Sequence, residues 1–390
     1  MHLRTYLSCA LLAAASLASP AFARTLHVGP NGPLRTIAEA ASQVQDGDIV
    51  EVEAGTYRAD VAVWSRNNVT VRGIPNARGK QARIIADGAQ VQGKGTWVVN
   101  GDMTIENLAF IGARVPDGNG AGIRLQKGRV RIVHCLFEDN QNGILVANDP
   151  SIELTIENSE FGHNGAGDGR THNIYVGAIG KLRVVGSYFH HAKVGHLLKS
   201  RATENYILYN RLTDEVGGSA SYELEFPNGG VAYVIGNVIQ QGAQTENPHV
   251  MAFGAEGYKW PNNALFLSHN TVIDARPSGG VFLRIRPGYQ QFVAVNNVLS
   301  GNSGKLESLA DPTAANRFAN NVYLPMNAFA DVVDYNYRLT ADVVRVVRAQ
   351  ASGKANEIDL NPDQEYQHPL QTRPLKVAPT VPGALQPRTE

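Results

Sequence analysis

The segments YILYNRL (206–212), YVIGNVI (233–239), LFLSHNTVI (265–273), FVAVNNVL (292–299) and FANNVYL (318–324) decide the fold. Each is an apolar run interrupted by asparagine and then resumed. Upstream, TIENLAF (104–110), RIVHCLF (131–137), LTIENSEF (154–161) and LRVVGSYF (182–189) have the same form. Set in register they give one recurring column: Asn107, His134, Asn158, Gly186, Asn210, Asn237, Asn270, Asn297 and Asn321. Its intervals are 27, 24, 28, 24, 27, 33, 27 and 24 residues, and an apolar or aromatic residue follows two or three positions on (Phe110, Phe137, Phe161, Phe189, Leu212, Ile239). An interval of this size marks a solenoid, in which one supersecondary unit stacks on the next. Stacked coils place equivalent residues ~4.8 Å apart, so an inward asparagine at a turn can bond to the backbone and to the amide of the next coil, forming a ladder. The hexapeptide period of a left-handed β-helix is absent. The expected fold is all-β, a right-handed single-stranded parallel β-helix of roughly 9–11 coils.

Every coil offers a further strand: GIRLQK (122–127), GILVAN (143–148), NIYVGA (173–178), GHLLKS (195–200), YELEFP (222–227), HVMAFG (249–254) and VFLRIR (281–286). Alternation sends every second side chain into the core. With Ile123, Leu125, Ile144, Val146, Ile174, Val176, Leu198, Leu224, Phe226, Leu283 and Ile285 inward, the outward set is Arg124, Gln126, Tyr175, Leu197, Lys199, Glu223, Glu225, Arg284 and Arg286. The facing of 249–254 is left open.

Thirty-five basic and 35 acidic side chains give zero formal charge, which argues against nucleic acid as a partner. Residues 1–23 read as a cleaved leader: His2 and Arg4 precede the apolar run Tyr6–Leu17, and Ala21-Phe22-Ala23 is an A-x-A site. Cleavage after Ala23 leaves Cys135 as the sole cysteine, so no intramolecular disulfide is expected. No later stretch has the ~18 apolar residues of a membrane span. A periplasmic or secreted monomer is expected, divided into an N-terminal cap and first coil (24–73), the solenoid (74–350) and a C-terminal extension (351–390). That extension should run along the outside of the solenoid, with its last dozen residues disordered.

Leu34, Ile37, Ala41 and Val44 have helical spacing; Asp46-Gly47-Asp48, the strand Ile49–Val52, Ala54-Gly55-Thr56-Tyr57 and Asn68–Gly73 come next. This order resembles the N-terminal cap and first coil of pectate-lyase-like parallel β-helix proteins, in which a cap covers the exposed end of the core. Leu197-Leu198-Lys199-Ser200, then Glu204-Asn205-Tyr206 and Tyr209-Asn210, resembles the family of chondroitinase B and alginate lyases, polysaccharide lyase family 6, over some thirty residues. The resemblance implies that Lys199 is a lysine base. That family's acidic calcium ligands before the lysine are here His191–His196, without a carboxylate, and its R-H-G on the next coil is Tyr222-Glu223-Leu224-Glu225. The resemblance therefore brings no calcium-ligand set. No cofactor is required on this reading, and calcium stays open.

β-Elimination from a polyuronide needs a cation for the C5 carboxylate, a base for the C5 proton and an acid at the glycosidic oxygen. Lys199 is the candidate base, Tyr175 or a histidine of the 190–196 stretch (His191, His196) the proton donor, and Arg201 or Lys193 the carboxylate holder. Tyr222, Glu223, Glu225, Arg284 and Arg286 would line the glycan. Glu223 and Glu225, ~6.5–7 Å apart at i and i+2, suit an inverting hydrolase instead. A C5 epimerase shares the first proton abstraction, and a non-catalytic glycan-binding protein would keep only the scaffold. The plain alternative is a charged ladder of glutamates with Lys199 or Arg201 on a solvated sheet. His134 reads as a turn residue. His190 and His191 are adjacent on a strand and should point oppositely, so no metal ligands are assigned.

Overall fold

The computed structural model describes residues 23–388, so the leader, apart from Ala23, lies outside the described residues. Three parallel sheets of 12, 11 and 10 strands run the length of the molecule, and the chain visits them in that order once per turn, for about eleven turns of a right-handed β-helix. Registry is continuous: Ile105, Ile132, Ile156, Val184, Ile207, Val234, Leu267 and Ala294 are successive partners on the 12-stranded sheet. All are buried, and β-branched residues dominate because they pack well on a pleated surface. Helix α1 (Ile37–Gln43) stands at the N-terminal end; Thr36 and Glu39 form its capping box, and Ile37 and Ala40 are buried. Among the described residues no helix is long and apolar enough to cross a membrane.

On the 11-stranded sheet the aromatic positions form a stack. Phe110, Phe137, Phe161 and Phe189 lie face to face at centroid separations of 5.2, 4.7 and 4.6 Å. Each ring is the direct register partner of the next, which is why a parallel solenoid stacks rings that other folds would set edge to face.

The asparagine column is two columns, not one. Asn107, His134, Asn158 and Gly186 occupy a corner position of positive φ, and this column continues through Tyr209, Gly236, His269, Asn296 and Asn320. The ladder is the position after it. Asn210 donates from its backbone N–H and Nδ2 to Asn237 Oδ1 (2.9 and 3.0 Å), Asn237 to Asn270, Asn270 to Asn297, and Asn297 to Asn321. Upstream, hydroxyls do this work: Cys135 N–H donates to Ser159 Oγ, Ser159 N–H to Ser187 Oγ, and Ser187 N–H to Asn210 Oδ1. The single column expected from sequence therefore slips by one between Gly186 and Asn210. Asparagine tolerates the left-handed region and also builds amide ladders, so its identity alone does not separate the two places. His134 is a turn residue, as expected.

Asn336–Leu339 closes an antiparallel pair with Phe329–Asp331, and a short helix α2 (Ala341–Val346) comes after it. The C-terminal segment then runs back along the outside. Leu360 O accepts from Ser268 Oγ (2.6 Å) and Asp363 Oδ1 from Tyr209 Oη (2.8 Å). Residues beyond 380 return: Gly383 N–H donates to Asn296 O and Ala384 N–H to Thr271 Oγ1. Disorder of the last dozen residues was expected; Val381, Ala384 and Gln386 are instead buried, because Val381 and Ala384 pack with Val298 and Ile273.

Candidate functional site

The outward face of the 10-stranded sheet carries one file of partners: Val98, Arg124, Leu145, Tyr175, Lys199, Glu225, Ala252 and Arg284. From Arg124 to Arg284 is six rungs, about 29 Å at ~4.8 Å each. Met251 and Phe253 face the core, which settles the strand whose facing was open. Lys199 thus has Tyr175 on one side and Glu225 on the other.

Lys199 Nζ lies 3.0 Å from Glu225 Oε2 and 3.0 Å from Glu256 Oε1. Arg201 Nη2 reaches Glu256 Oε2 at 2.7 Å, its Nε donates to Tyr175 Oη at 3.0 Å, and its Nη1 donates to Asn228 Oδ1. Lys199 and Arg201 both lie beside the Tyr175 ring, 5.7 and 5.6 Å from its centroid. The two carboxylates differ in setting: the Glu225 side chain is 4% exposed and that of Glu256 is 44% exposed. Burial raises Glu225 above the usual carboxylate range against the pull of Lys199, whereas Arg201 and Lys199 hold the partly desolvated Glu256 below it. Two acids pushed apart in this way are a mark of sites where proton transfer is organised.

Behind Glu225 stand two buried histidines. His196 Nε2 is 3.2 Å from Glu225 Oε2, and its Nδ1 accepts the Tyr222 N–H. Neither His196 nor Lys199 approaches Oε2 with hydrogen-bond angles, so the Lys199 contact is a charge contact and that of His196 a close polar one rather than an aligned bond. His172 Nδ1 accepts the His196 N–H at 2.9 Å, and the two imidazoles stack at 4.4 Å. Burial, then Lys199 and Arg201, push His172 down to about 3; burial likewise drives His196 well down, so both are neutral.

Other expected residues sit elsewhere or face another way. Glu223 is fully buried with both carboxylate oxygens unpartnered, and Leu197 is in the core. Both were expected outward, but their strands begin one residue later, at Leu198 and Leu224, and the bend before each strand breaks the alternation. Burial, with Asp214 nearby, keeps Glu223 protonated well above the usual range. It cannot pair with Glu225 across a glycosidic bond, so the inverting-hydrolase geometry is absent. Lys193 is bound to Asp139 (2.7 Å), and His191 Nε2 faces Val216 O, both at the corner before the strand. Tyr222 is buried and receives Arg284 Nη1 at 3.3 Å; Arg286 extends to Ala255 O at 3.5 Å.

His190 and His191 converge rather than diverge. Their Nδ1 atoms are 2.7 Å apart, because His191 has left the strand with φ 47°. The strict alternation assumed from sequence holds only while both residues are extended.

Glu256 and His172 do not stand out in the sequence as site residues, and Asn228, in Asn228-Gly229-Gly230, reads there simply as a turn. Glu256 lies in the aperiodic loop after Phe253, where no register can place it. His172 had a usable signal, since it lies 24 residues before His196, the interval separating other coil equivalents. A calcium ion asks for six to eight oxygen donors. Both carboxylates around Lys199 are already held by cations, so these residues do not fit one. A separate cavity of about 540 Å³ beneath the C-terminal segment contains none of the residues around Lys199.

No family model and no curated protein matches the chain. Among solved structures it is similar to pectate lyase Pel9A (13% identity, 94% of this chain and 96% of that one, TM-score 0.49). It is also similar to the family 6 polysaccharide lyase Pedsa3628 from Pseudopedobacter saltans (11% identity, 77% and 94%, TM-score 0.42). A third likeness is to a pectin methylesterase (11% identity, 86% and 98%, TM-score 0.33). At these values the likenesses assign no activity, and the fold rests on the chain's own three sheets.

Proposed function

We propose that this protein is a polysaccharide lyase that cleaves an extended, uronate-containing glycan by β-elimination on the outward face of the 10-stranded sheet. The observation that carries this reading is Lys199: a nearly buried ammonium between a protonatable buried carboxylate and an exposed one, on a 29 Å file with arginines at both ends, about six rungs at ~4.8 Å. To act as a base Lys199 must first lose a proton, and Glu225 Oε2, 3.0 Å away and made basic by burial, takes it once the Lys199 side chain turns into line with it. A substrate carboxylate displaces Glu256 from Arg201. Lys199 Nζ then removes the C5 proton, the electron pair becomes the C4–C5 double bond, and the C4–O4 bond breaks. Tyr175 Oη accepts from Arg201 Nε, which leaves its own proton free for O4. The neutral His196–His172 pair supports Glu225 from behind. Arg124, Arg284 and Arg286 line the path of an anionic polymer. With a leader at 1–23, the site of action is the periplasm or the exterior.

Incubating the protein with a panel of polyuronides and following ultraviolet absorbance of the unsaturated uronate tests this. Absorbance that grows with wild type and is lost in Lys199→Ala supports it. New reducing ends without that absorbance would indicate hydrolysis. C5 inversion without chain shortening would indicate an epimerase, and binding without turnover a scaffold.

A further inference from the structure

We propose that His163, His190 and His191 form a binding site for a divalent transition-metal ion, at the corner where the 11-stranded sheet ends and independent of the Lys199 site. The corner position after each strand of that sheet has positive φ in consecutive coils: Gly112, Asp139, His163 and His191. His163 and His191 are therefore the same position one coil apart, 28 residues in sequence, and their rings stack at 4.7 Å and 26°. His190 precedes the corner on the strand. Its imidazole lies across Gly162 of the previous coil, where a Cβ would come within 2.2 Å of the ring, so only glycine leaves it room. Tyr188 covers the ring at 4.4 Å.

The tautomers point to a cation. His190 Nε2 faces Glu160 Oε1 at 3.2 Å and His191 Nε2 faces Val216 O at 3.1 Å. Both partners are acceptors, so both Nε2 atoms carry the protons. The two Nδ1 lone pairs then meet at 2.7 Å, an arrangement that is repulsive unless a positive species lies against them. An outer carboxylate and an outer carbonyl fixing the tautomer so that the other nitrogen faces inward is how metal-ligating histidines are held. His163 completes the set: one nitrogen from each of the three residues lies within 4.8 Å of the others. A tetrahedral ion at 2.0–2.1 Å from each nitrogen requires N···N separations of about 3.3 Å, between the 2.7 Å of the Nδ1 pair and that 4.8 Å limit. Three imidazoles suit zinc, copper or nickel and leave a fourth position to water. The ion would join two successive coils.

The test uses the tag-free full chain and Zn²⁺ in titration calorimetry, with Co²⁺ as a visible probe. The expected result is one saturable equivalent, a tetrahedral Co²⁺ spectrum and a Tm that rises with zinc. His163→Asn and His191→Asn, chosen because asparagine tolerates positive φ, should each weaken Zn²⁺ binding more than tenfold, and Glu160→Gln by about 10-fold. His134→Asn, at an exposed corner outside the cluster, should leave it unchanged. Absence of a one-equivalent isotherm, or an isotherm unaltered in both His163→Asn and His191→Asn, overturns the site. So does a histidine pair whose ¹⁵N resonances report a shared proton and do not move on adding zinc.

Discussion

Two outward faces of this solenoid carry lysine, arginine and glutamate in adjacent rungs, and they are different objects. On the 12-stranded sheet, Arg129 pairs with Asp102 (2.8 Å, side chains 69% and 25% exposed), Lys181 with Glu204 (3.9 Å, 44% and 44%), and Arg131 with Glu157. These are cross-strand pairs in water, worth little individually. On the 10-stranded sheet, Lys199 and Glu225 are 11% and 4% exposed. The difference lies in the segment that leaves each strand. After the 12-stranded sheet the chain turns through one left-handed residue and leaves these pairs in water; only further along does the C-terminal segment cover the same face, over Tyr233, Phe266 and Val293. After the 10-stranded sheet, residues 254–263 fold over the file, bringing Glu256 onto Lys199 and Arg201 and Trp260 Nε1 onto Arg201 O. Outward charge marks a candidate site once a loop has taken it out of water.

The sharpest way to break this contrast is Lys199→Ala. Loss of the base should reduce the elimination rate by about 10²–10⁴, read as initial velocity on a susceptible polyuronide. Next is acid. His172 titrates at about 3 in the fold against ~6.5 unfolded, so the unfolded chain binds the extra proton between those values. Stability is full above ~6.5 and falls as the pH drops toward 3, by up to ~4–5 kcal/mol from this group. Urea titrations at pH 7 and 4 should show the loss, and His172→Gln should lessen it, leaving the share of the other buried histidines, His196 among them. Glu223 has the opposite sign: its folded proton is retained well above the ordinary range, so stability falls as pH rises past the unfolded value. Glu223→Gln should therefore melt higher than wild type, with a margin that widens from pH 5 to pH 8. Glu256→Gln removes the carboxylate that a substrate must displace, and should lower KM by roughly 2–5-fold, the effect of a half-exposed ion pair. Smallest of all, Arg131→Ala should cost at most ~1 kcal/mol and leave turnover unchanged.

The same division separates the features legible in sequence from those that were not. The repeat interval and the phenylalanine stack were legible because parallel stacking puts identical residues in identical environments. Lys199 and Glu225 were legible as outward neighbours for the same reason. Glu223 was not, because one bend before Leu224 reverses a facing that alternation cannot see. Glu256 was not, because a loop has no period. The His190–His191 pair was misjudged because His191, left-handed at the corner, has left the strand, and the asparagine column because asparagine serves both at the corner and at the position after it.

The returning C-terminal segment bears on how the molecule comes apart. A plain stack of coils feels only its nearest neighbours, and such arrays lose cooperativity and fray from their ends. Here residues 350–384 touch coils at Tyr209, Ser268, Thr271 and Asn296. Opening the last coils therefore also strips contacts from coils well inside the array. The strap converts a linear chain of small transitions into one larger one, and ending the chain before Gln350 should broaden the unfolding transition as well as lower its midpoint.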